Sequence, residues 1–272
     1  MKILAIGDVF GETGRKVIDK YLPQLKKEHE IDLVIANVEN VTHGKGISYT
    51  HYQELKFTKE GKVLIDIMTS GNHIFHWEKT REFINQTPDL LRPLNSNPYP
   101  NYPGKGFFVK AVDLKIQKRK KICVINLIGT TFMPAAAENP YFALEKKLKE
   151  LEQQDCDIYL VDFHAEATAE KIALALYFDG KISALWGTHT HVQTADERIL
   201  SKGTGFITDL GMTGPYSGVI GAKPEVIFQR AKCGLPAKMR PHEDNGQFNG
   251  AIFEFDDVNN KLISIKRIRK IF

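Results

Sequence analysis

The chain has 272 residues, 42% of them hydrophobic and 26% charged, enough apolar matter for a sizeable core. A formal net charge of +4 helps a phosphate-bearing substrate approach, but it is not the signature of a dedicated nucleic-acid binder. Three widely spaced cysteines, Cys123, Cys156 and Cys233, form no CxxC pair, which argues against a disulfide framework or zinc ribbon and for a reducing compartment.

The opening run Lys2–Gly7 is too short for a signal-peptide core and stops at Asp8, so the expected location is the cytoplasm. No stretch approaches the roughly 18 apolar residues needed to span a bilayer, and no membrane contact is expected. Ile3–Ile6 reads as a buried strand, after which Val17, Tyr21, Leu22 and Leu25 share one helical face, with Pro23 expected to kink or shorten that helix. Leu33–Val38 is a second strand and Ile65–Thr69 a third, separated by a poorly defined segment. A helix over about Glu78–Asn85 leads into an irregular stretch holding Pro88, Pro93, Pro98, Pro100 and Pro103.

Phe107–Leu114 and Ile122–Ile128 read as strands flanking a turn at Lys118–Lys121, whose basic run is either an RNA contact or, as expected, a solvated hairpin turn. Leu144, Leu148 and Leu151 mark a helix, followed by a strand (Ile158–Phe163), a helix (Glu166–Phe178) and a strand (Ile182–Trp186). Gly203–Gly221 is loop-rich, although Gly205–Thr208 within it looks extended, as do Ala251–Phe255 and Leu262–Ile268. Short apolar runs alternating with amphipathic stretches are the rhythm of an α/β sandwich. No repeat or linker interrupts them, and residues 1–272 are expected to form a single domain.

Chemistry-bearing residues fall at one recurring place. Five apolar runs end in residues able to bind metal: Asp8, Glu39-Asn40, Asn72-His73, His164 and His189-Thr190-His191. In α/β folds ligands gather beyond the carboxyl ends of strands, so these ends are expected to converge. Each motif alone has an ordinary reading: Asp8 as a helix cap, Glu39-Asn40 and Gly71-Asn72-His73 as turns, His164 as a structural histidine. All five at one topological position make a set too polar to bury without a partner, and metal ions supply one. Imidazole, carboxylate and amide oxygen without thiolate suit Mn²⁺, Fe or Zn²⁺. If the backbone at 189–191 is extended, both rings point to one face; if it is a loop, they can reach two different ions.

These residues resemble the calcineurin-like metallophosphoesterases, and more closely their YmdB-like branch of bacterial phosphodiesterases acting on cyclic nucleotides. The resemblance runs through Gly7-Asp8-Val9, Asn37-Val38-Glu39-Asn40, His43-Gly44-Lys45-Gly46, Gly71-Asn72-His73, Asp162–Glu166, Gly187–Asp196 and Thr208–Pro215, nearly the whole chain. It implies an α/β sandwich of two β-sheets flanked by helices, and two metal ions, Fe or Mn first and Zn next. Glu39 would bridge them, with Asp8, Asn40 and His191 completing one site and Asn72, His164 and His189 the other. His73 would be the catalytic histidine outside the ligand set. Two departures stand out: the superfamily's Asp-x-His opening is here Asp8-Val9-Phe10, with Asn40 in the missing histidine's place, and Gly-Asn-His is followed by Ile74 instead of an acid.

Two-metal chemistry would generate hydroxide near neutral pH for in-line attack on phosphorus, with His73 stabilising the developing charge or protonating the leaving oxygen. The implied substrates are small cyclic nucleotides, 2′,3′-cyclic monophosphates first and 3′,5′-cAMP second. A phosphomonoesterase such as a nucleotidase is the enzymatic rival. A regulatory, RNA-associated protein with a mainly structural metal site is the rival of another class, and an indirect link to RNA turnover and homo-oligomerisation stay open. His43 and Lys45, on a glycine-flanked loop beside Glu39, are candidate substrate contacts. Gly211–Pro215 is read as either a cleft lining or a plain turn, and His29, His51, His76 and His242 as surface or structural residues.

Overall fold

The computed structural model describes residues 1–97, 101–114, 119–133, 137–238 and 240–272; Pro98, Pro100 and Lys118 lie outside them. The chain opens with β1 (Lys2–Ile6), β2 (Asp8–Val9), α1 (Gly11–His29), β3 (Leu33–Asn37), α2 (Tyr49–Lys56), β4 (Ile67–Thr69) and α3 (Glu78–Phe83). It continues through β5 (Phe107–Asp113), β6 (Arg119–Ile128), α4 (Pro140–Leu151), β7 (Ile158–His164), α5 (Thr168–Tyr177), β8 (Ala184–Thr188), β9 (Arg198–Ile199) and β10 (Gly205–Ile207). The last elements are β11 (Met212–Pro215), α6 (Pro224–Cys233), β12 (Gly246–Phe255) and β13 (Leu262–Ile271).

These strands form two mixed sheets. One runs β2-β11-β12-β1-β3-β4 with β13 also on β12; the other runs β5-β6-β7-β8-β10-β9. Alternation within each strand explains the layers. Ile3 and Ala5 face the core between the sheets, where they meet Val124, Leu160 and Trp186. Leu4 and Ile6 point the other way, onto Val17, Ile18, Leu22 and Leu25 of α1. On the second sheet Val161, Phe163 and Leu185 pack under Leu144 of α4 and Leu174 of α5. Strands buried on both faces read as continuous apolar runs, which is why the sequence marks them so clearly.

Parallel pairing sets up the site. β1, β3 and β4 run parallel in one sheet, as do β6, β7, β8 and β10 in the other. Their carboxyl ends therefore open toward a common edge.

Several expectations need correction. Helix α1 passes through Pro23 without interruption over 19 residues. Pro23 and Asp19, whose carbonyl loses its amide partner, are both exposed, so water can satisfy that carbonyl, while buried Leu22 and Leu25 anchor the helix. Arg119, Lys120 and Lys121 belong to β6, not to a turn, and Lys120 is buried, bonded to Asn260 and 3.5 Å from Asp157. Gly211–Pro215 is neither cleft lining nor turn: β11 pairs with β2 and places Met212 opposite Asp8. Helix α6 gave no periodic signal because none of its residues is buried; Pro224 at its start and left-handed Gly234 at its end were the only markers. Among the described residues, no helix is long and apolar enough to cross a membrane.

Candidate metal centre

All seven proposed ligands and His73 gather at the common edge of the two sheets. Asp8, Glu39 and Asn40 are buried on the first sheet's side, with His164 buried on the second. Asn72 follows β4 after Gly71, a residue for which no other type fits. A Cβ there would lie 2.2 Å from the His164 ring and 2.3 Å from Glu39 Oε2.

His164 Nε2 is the hub of one half. It lies 3.1 Å from Glu39 Oε1, 3.2 Å from Asn72 Oδ1 and 3.0 Å from His189 Nδ1. Glu39, His164 and His189 present ligand atoms all within 4.8 Å of one another. In the other half, His191 Nε2 lies 3.1 Å from Asn40 Nδ2 and 3.7 Å from Asp8 Oδ1. Glu39 Oε1 is 3.3 Å from Asn40 Nδ2, so Glu39 touches both halves. His73 stands to one side: its Nδ1 is 3.2 Å from Glu39 Oε1, and its backbone N–H donates to Glu39 Oε2 at 3.1 Å. The carboxylate missing after His73 in the sequence is thus supplied by Glu39.

The capping reading of Asp8 fails, because the residue before α1 is Phe10 and no side chain caps that helix. Asp8 Oδ2 instead accepts the His189 N–H at 3.1 Å, while Asp8 Oδ1 is buried with no hydrogen-bond partner. The structure also decides between the two conformations of 189–191. β8 ends at Thr188, and His189 and His191 adopt φ of 96° and 65°. They form a loop that sends one ring to each half. Such backbone costs on the order of 1–3 kcal/mol per residue and persists only when its surroundings fix it. Thr190 between them is gripped by Asp209 Oδ2, which accepts from its N–H at 3.3 Å and its hydroxyl at 2.8 Å. Lys171, fully buried, donates to Asp209 Oδ2 at 2.7 Å and to the Thr188 carbonyl at 2.9 Å.

Each of the three candidate ligand histidines has its second nitrogen anchored outside the centre. His189 Nε2 meets Glu166 Oε2 at 3.1 Å, His164 Nδ1 meets Thr188 Oγ1 at 3.0 Å, and His191 Nδ1 meets the Ile220 carbonyl at 2.9 Å. Thr188 in turn donates to Asp162 Oδ1 at 2.7 Å. Partners of this kind fix the tautomer and aim the other nitrogen inward, as around metal-binding histidines. Electrostatics agree. Burial alone would raise the Glu39 carboxyl, but His164 and His73 beside it hold it well below the usual range. Burial would lower His164, yet the Glu39 and Asp8 carboxylates lift it to about 9. Burial raises Asp8, and burial with the nearby His164 charge drops His189 to about 3. Lone pairs crowd one point, and a cation is what they need.

The centre floors a cavity of about 820 Å³. His43 and Lys45 line its exposed mouth, together with His76, for which the sequence suggested only a surface or structural place. Sequence reasoning missed Trp77, Arg230, Lys238 and Arg240, which also line it.

A family model described as YmdB-like protein matches residues 4–268. The chain belongs to the YmdB-like family. It is 42% identical to a 2′,3′-cyclic-nucleotide 2′-phosphodiesterase of Bacillus subtilis, over 98% of this chain and 96% of that protein. A crystal structure of a phosphatase from Mycoplasma pneumoniae matches with a TM-score of 0.88 and 39% identity, covering 100% of this chain and 93% of the other. The fold is the calcineurin-like sandwich. The NAD nucleotidase of Haemophilus influenzae shares it at a TM-score of 0.58 and 13% identity, with 100% of this chain covering 56% of that one.

Proposed function

We propose that this YmdB-like chain is a metal-dependent phosphodiesterase that opens 2′,3′-cyclic nucleotides, with 3′,5′-cAMP as a secondary substrate. The carrying observation is the trio of histidines, each tied outward by one nitrogen and aimed inward by the other, around buried Glu39 and Asp8 Oδ1, which accepts no hydrogen bond among the described residues. Glu39, Asn72, His164 and His189 would hold one cation, and Asp8, Asn40 through its amide oxygen, and His191 would hold a second, with Glu39 shared. The donor set suits Mn²⁺, Fe or Zn²⁺. Ions held there would polarise the phosphate and acidify a water molecule.

The protein's own residues do the rest. Asp209 and Lys171 keep the strained 189–191 loop in register. Glu39 fixes His73 through Nδ1, leaving Nε2 as the nitrogen to meet the leaving oxygen. The oxygen of water bonds to phosphorus as the water releases a proton to solvent, the bond from phosphorus to O2′ breaks, and protonated His73 gives O2′ its proton and is reprotonated from solvent. The product is a 3′-monophosphate.

The test is turnover of adenosine 2′,3′-cyclic phosphate by metal-reconstituted protein, with the product identified by ³¹P NMR. Formation of 3′-AMP supports the reading. Release of inorganic phosphate from monoesters, with cyclic phosphates untouched, would replace it with a phosphomonoesterase.

A further inference from the structure

The cavity, at about 820 Å³, lies toward the upper end of the roughly 300 to 1,000 Å³ usual for small-ligand pockets and extends beyond its reactive floor. Its two upper walls differ in chemistry, and neither is explained by a lone cyclic phosphate.

One wall is aromatic. Trp77 lies against the His43–Gly46 loop, where its indole N–H donates to the Lys45 carbonyl at 2.7 Å. His43 and His76 meet its ring edge-on, at 6.2 and 5.3 Å between centroids. Gly46 has φ of +70°, and a Cβ there would sit 2.8 Å from Trp77 Cδ1, so only glycine permits this seat. The indole is therefore fixed, yet it remains 38% exposed at the cavity.

The other wall is cationic. Residues 223–238 and 240 belong to an excursion closed at its base by the Ala222–Pro241 bridge, with Lys223 N donating to Arg240 O at 2.9 Å and His242 N to Gly221 O at 2.8 Å. Helix α6 within it buries nothing, so core packing does not account for the excursion. It holds five lysines and arginines against one carboxylate, Glu225. That surplus equals the net charge of the whole protein. Arg230, Lys238 and Arg240 line the cavity, as does Lys45. Among the described residues none of these four makes an ion pair, and Glu39 on the floor is the one carboxylate in the lining.

An aromatic platform beside a groove of unpaired cations is how single-stranded nucleic acid is held: bases stack and phosphates meet charge. We propose that the cavity mouth is a subsite for nucleotides upstream of the scissile group, so that the substrate class extends to short oligoribonucleotides ending in a 2′,3′-cyclic phosphate. This rests on the reading of the floor as a cyclic-phosphate hydrolase. With the cyclic phosphate on the floor, the 5′-oxygen of the terminal nucleoside leads toward the mouth. There the next phosphates find Arg230, Lys238 and Arg240, and a base finds Trp77. The bond to O2′ breaks as before, and the 3′-phosphate stays on the oligonucleotide.

The experiment compares kcat/KM for adenosine 2′,3′-cyclic phosphate and for a trinucleotide with the same end, using metal-loaded protein at low and moderate salt. Three proteins are needed: wild type, Arg230→Ala with Arg240→Ala, and a charge-matched control, Lys146→Ala with Lys149→Ala, at exposed positions of α4. Wild type and control should prefer the trinucleotide by about tenfold or more, with a steeper fall as salt rises. The double arginine variant should lose that preference, mainly through KM, while the mononucleotide falls no more than about threefold. Equal kcat/KM for both substrates in wild type, or a preference that survives the double substitution, overturns the subsite. If bis-p-nitrophenyl phosphate is hydrolysed but neither cyclic phosphate is, the proposed reaction fails and binding decides the subsite alone. Fluorescence anisotropy of a labelled trinucleotide should then show binding weakened at least tenfold by the double substitution. No measurable binding to wild type would overturn it.

Discussion

The floor and the mouth of the cavity are built on opposite plans. On the floor, side chains are buried and held from outside: Glu166, Thr188 and the Ile220 carbonyl anchor the histidines, and Asp209 with Lys171 grips their loop. At the mouth, Lys45, Arg230, Lys238 and Arg240 are exposed and unpaired by any described acid. The difference teaches a division of labour. Chemistry needs geometry fixed to a fraction of an ångström, so the floor accepts backbone strain and buried charge. Recognition of a flexible polyanion needs charge that can move to meet it, and free cations supply that.

The sharpest break in this comparison comes from the floor. His164→Ala should lower kcat/KM by more than about 100-fold and strip bound metal, because even loss of an outer partner around a metal costs about 10- to 100-fold. Elemental analysis alongside the assay checks it, and full metal content in the variant would remove His164 from the ligand set. His73→Ala should cut kcat by roughly 10²- to 10⁴-fold with metal retained, since it removes a proton donor and no ligand. Metal lost together with activity would place His73 among the ligands instead.

Legibility in the sequence follows the same division. Floor residues announced themselves because each sits where an apolar strand stops, and the strands are continuous apolar runs buried on both faces. Asp8, Glu39, Asn72, His164 and His189 could be named from that rule. What held them could not. Asp209 and Lys171 act from 19 and 17 residues away from the Thr190 and Thr188 groups they grip. The mouth was illegible for another reason. Arg230, Lys238 and Arg240 stand on a segment that buries no helix face, so no periodicity marks it, and their meeting with Lys45 and Trp77 exists only in three dimensions. The visible basic run at 118–121 pointed elsewhere, and Lys120 within it proved to be a buried partner of Asp157 and Asn260.

The gripping pair offers a stability test. Lys171→Met leaves Asp209 buried without its cation, which should cost about 3–5 kcal/mol in urea denaturation of the metal-free protein. Wild-type stability would show that the pair does not hold the loop. Smaller still is the tenfold trinucleotide preference lost with Arg230 and Arg240.

The smallest effect belongs to His51, whose ring lies edge-on to His43. Burial first, then the charges of Arg15 and His43, lower its pKa to about 4. A folded value below the unfolded one of about 6.5 means its contribution is intact above pH 6.5 and is lost as pH falls toward 4. Wild type should therefore lose slightly more stability than His51→Asn between pH 7 and pH 4.5. The difference should stay within about 1 kcal/mol, because the ring is only half buried. Parallel urea midpoints at the two pH values decide it, and identical losses would contradict the assignment.

Metal content and diesterase activity, measured together in wild type and Glu39→Gln, test the account at its centre. About two ions per chain and metal-dependent hydrolysis of bis-p-nitrophenyl phosphate are expected in wild type, with both sharply reduced in the variant. Wild-type protein that binds no metal after reconstitution, or a Glu39→Gln variant that keeps both metal and activity, would contradict it.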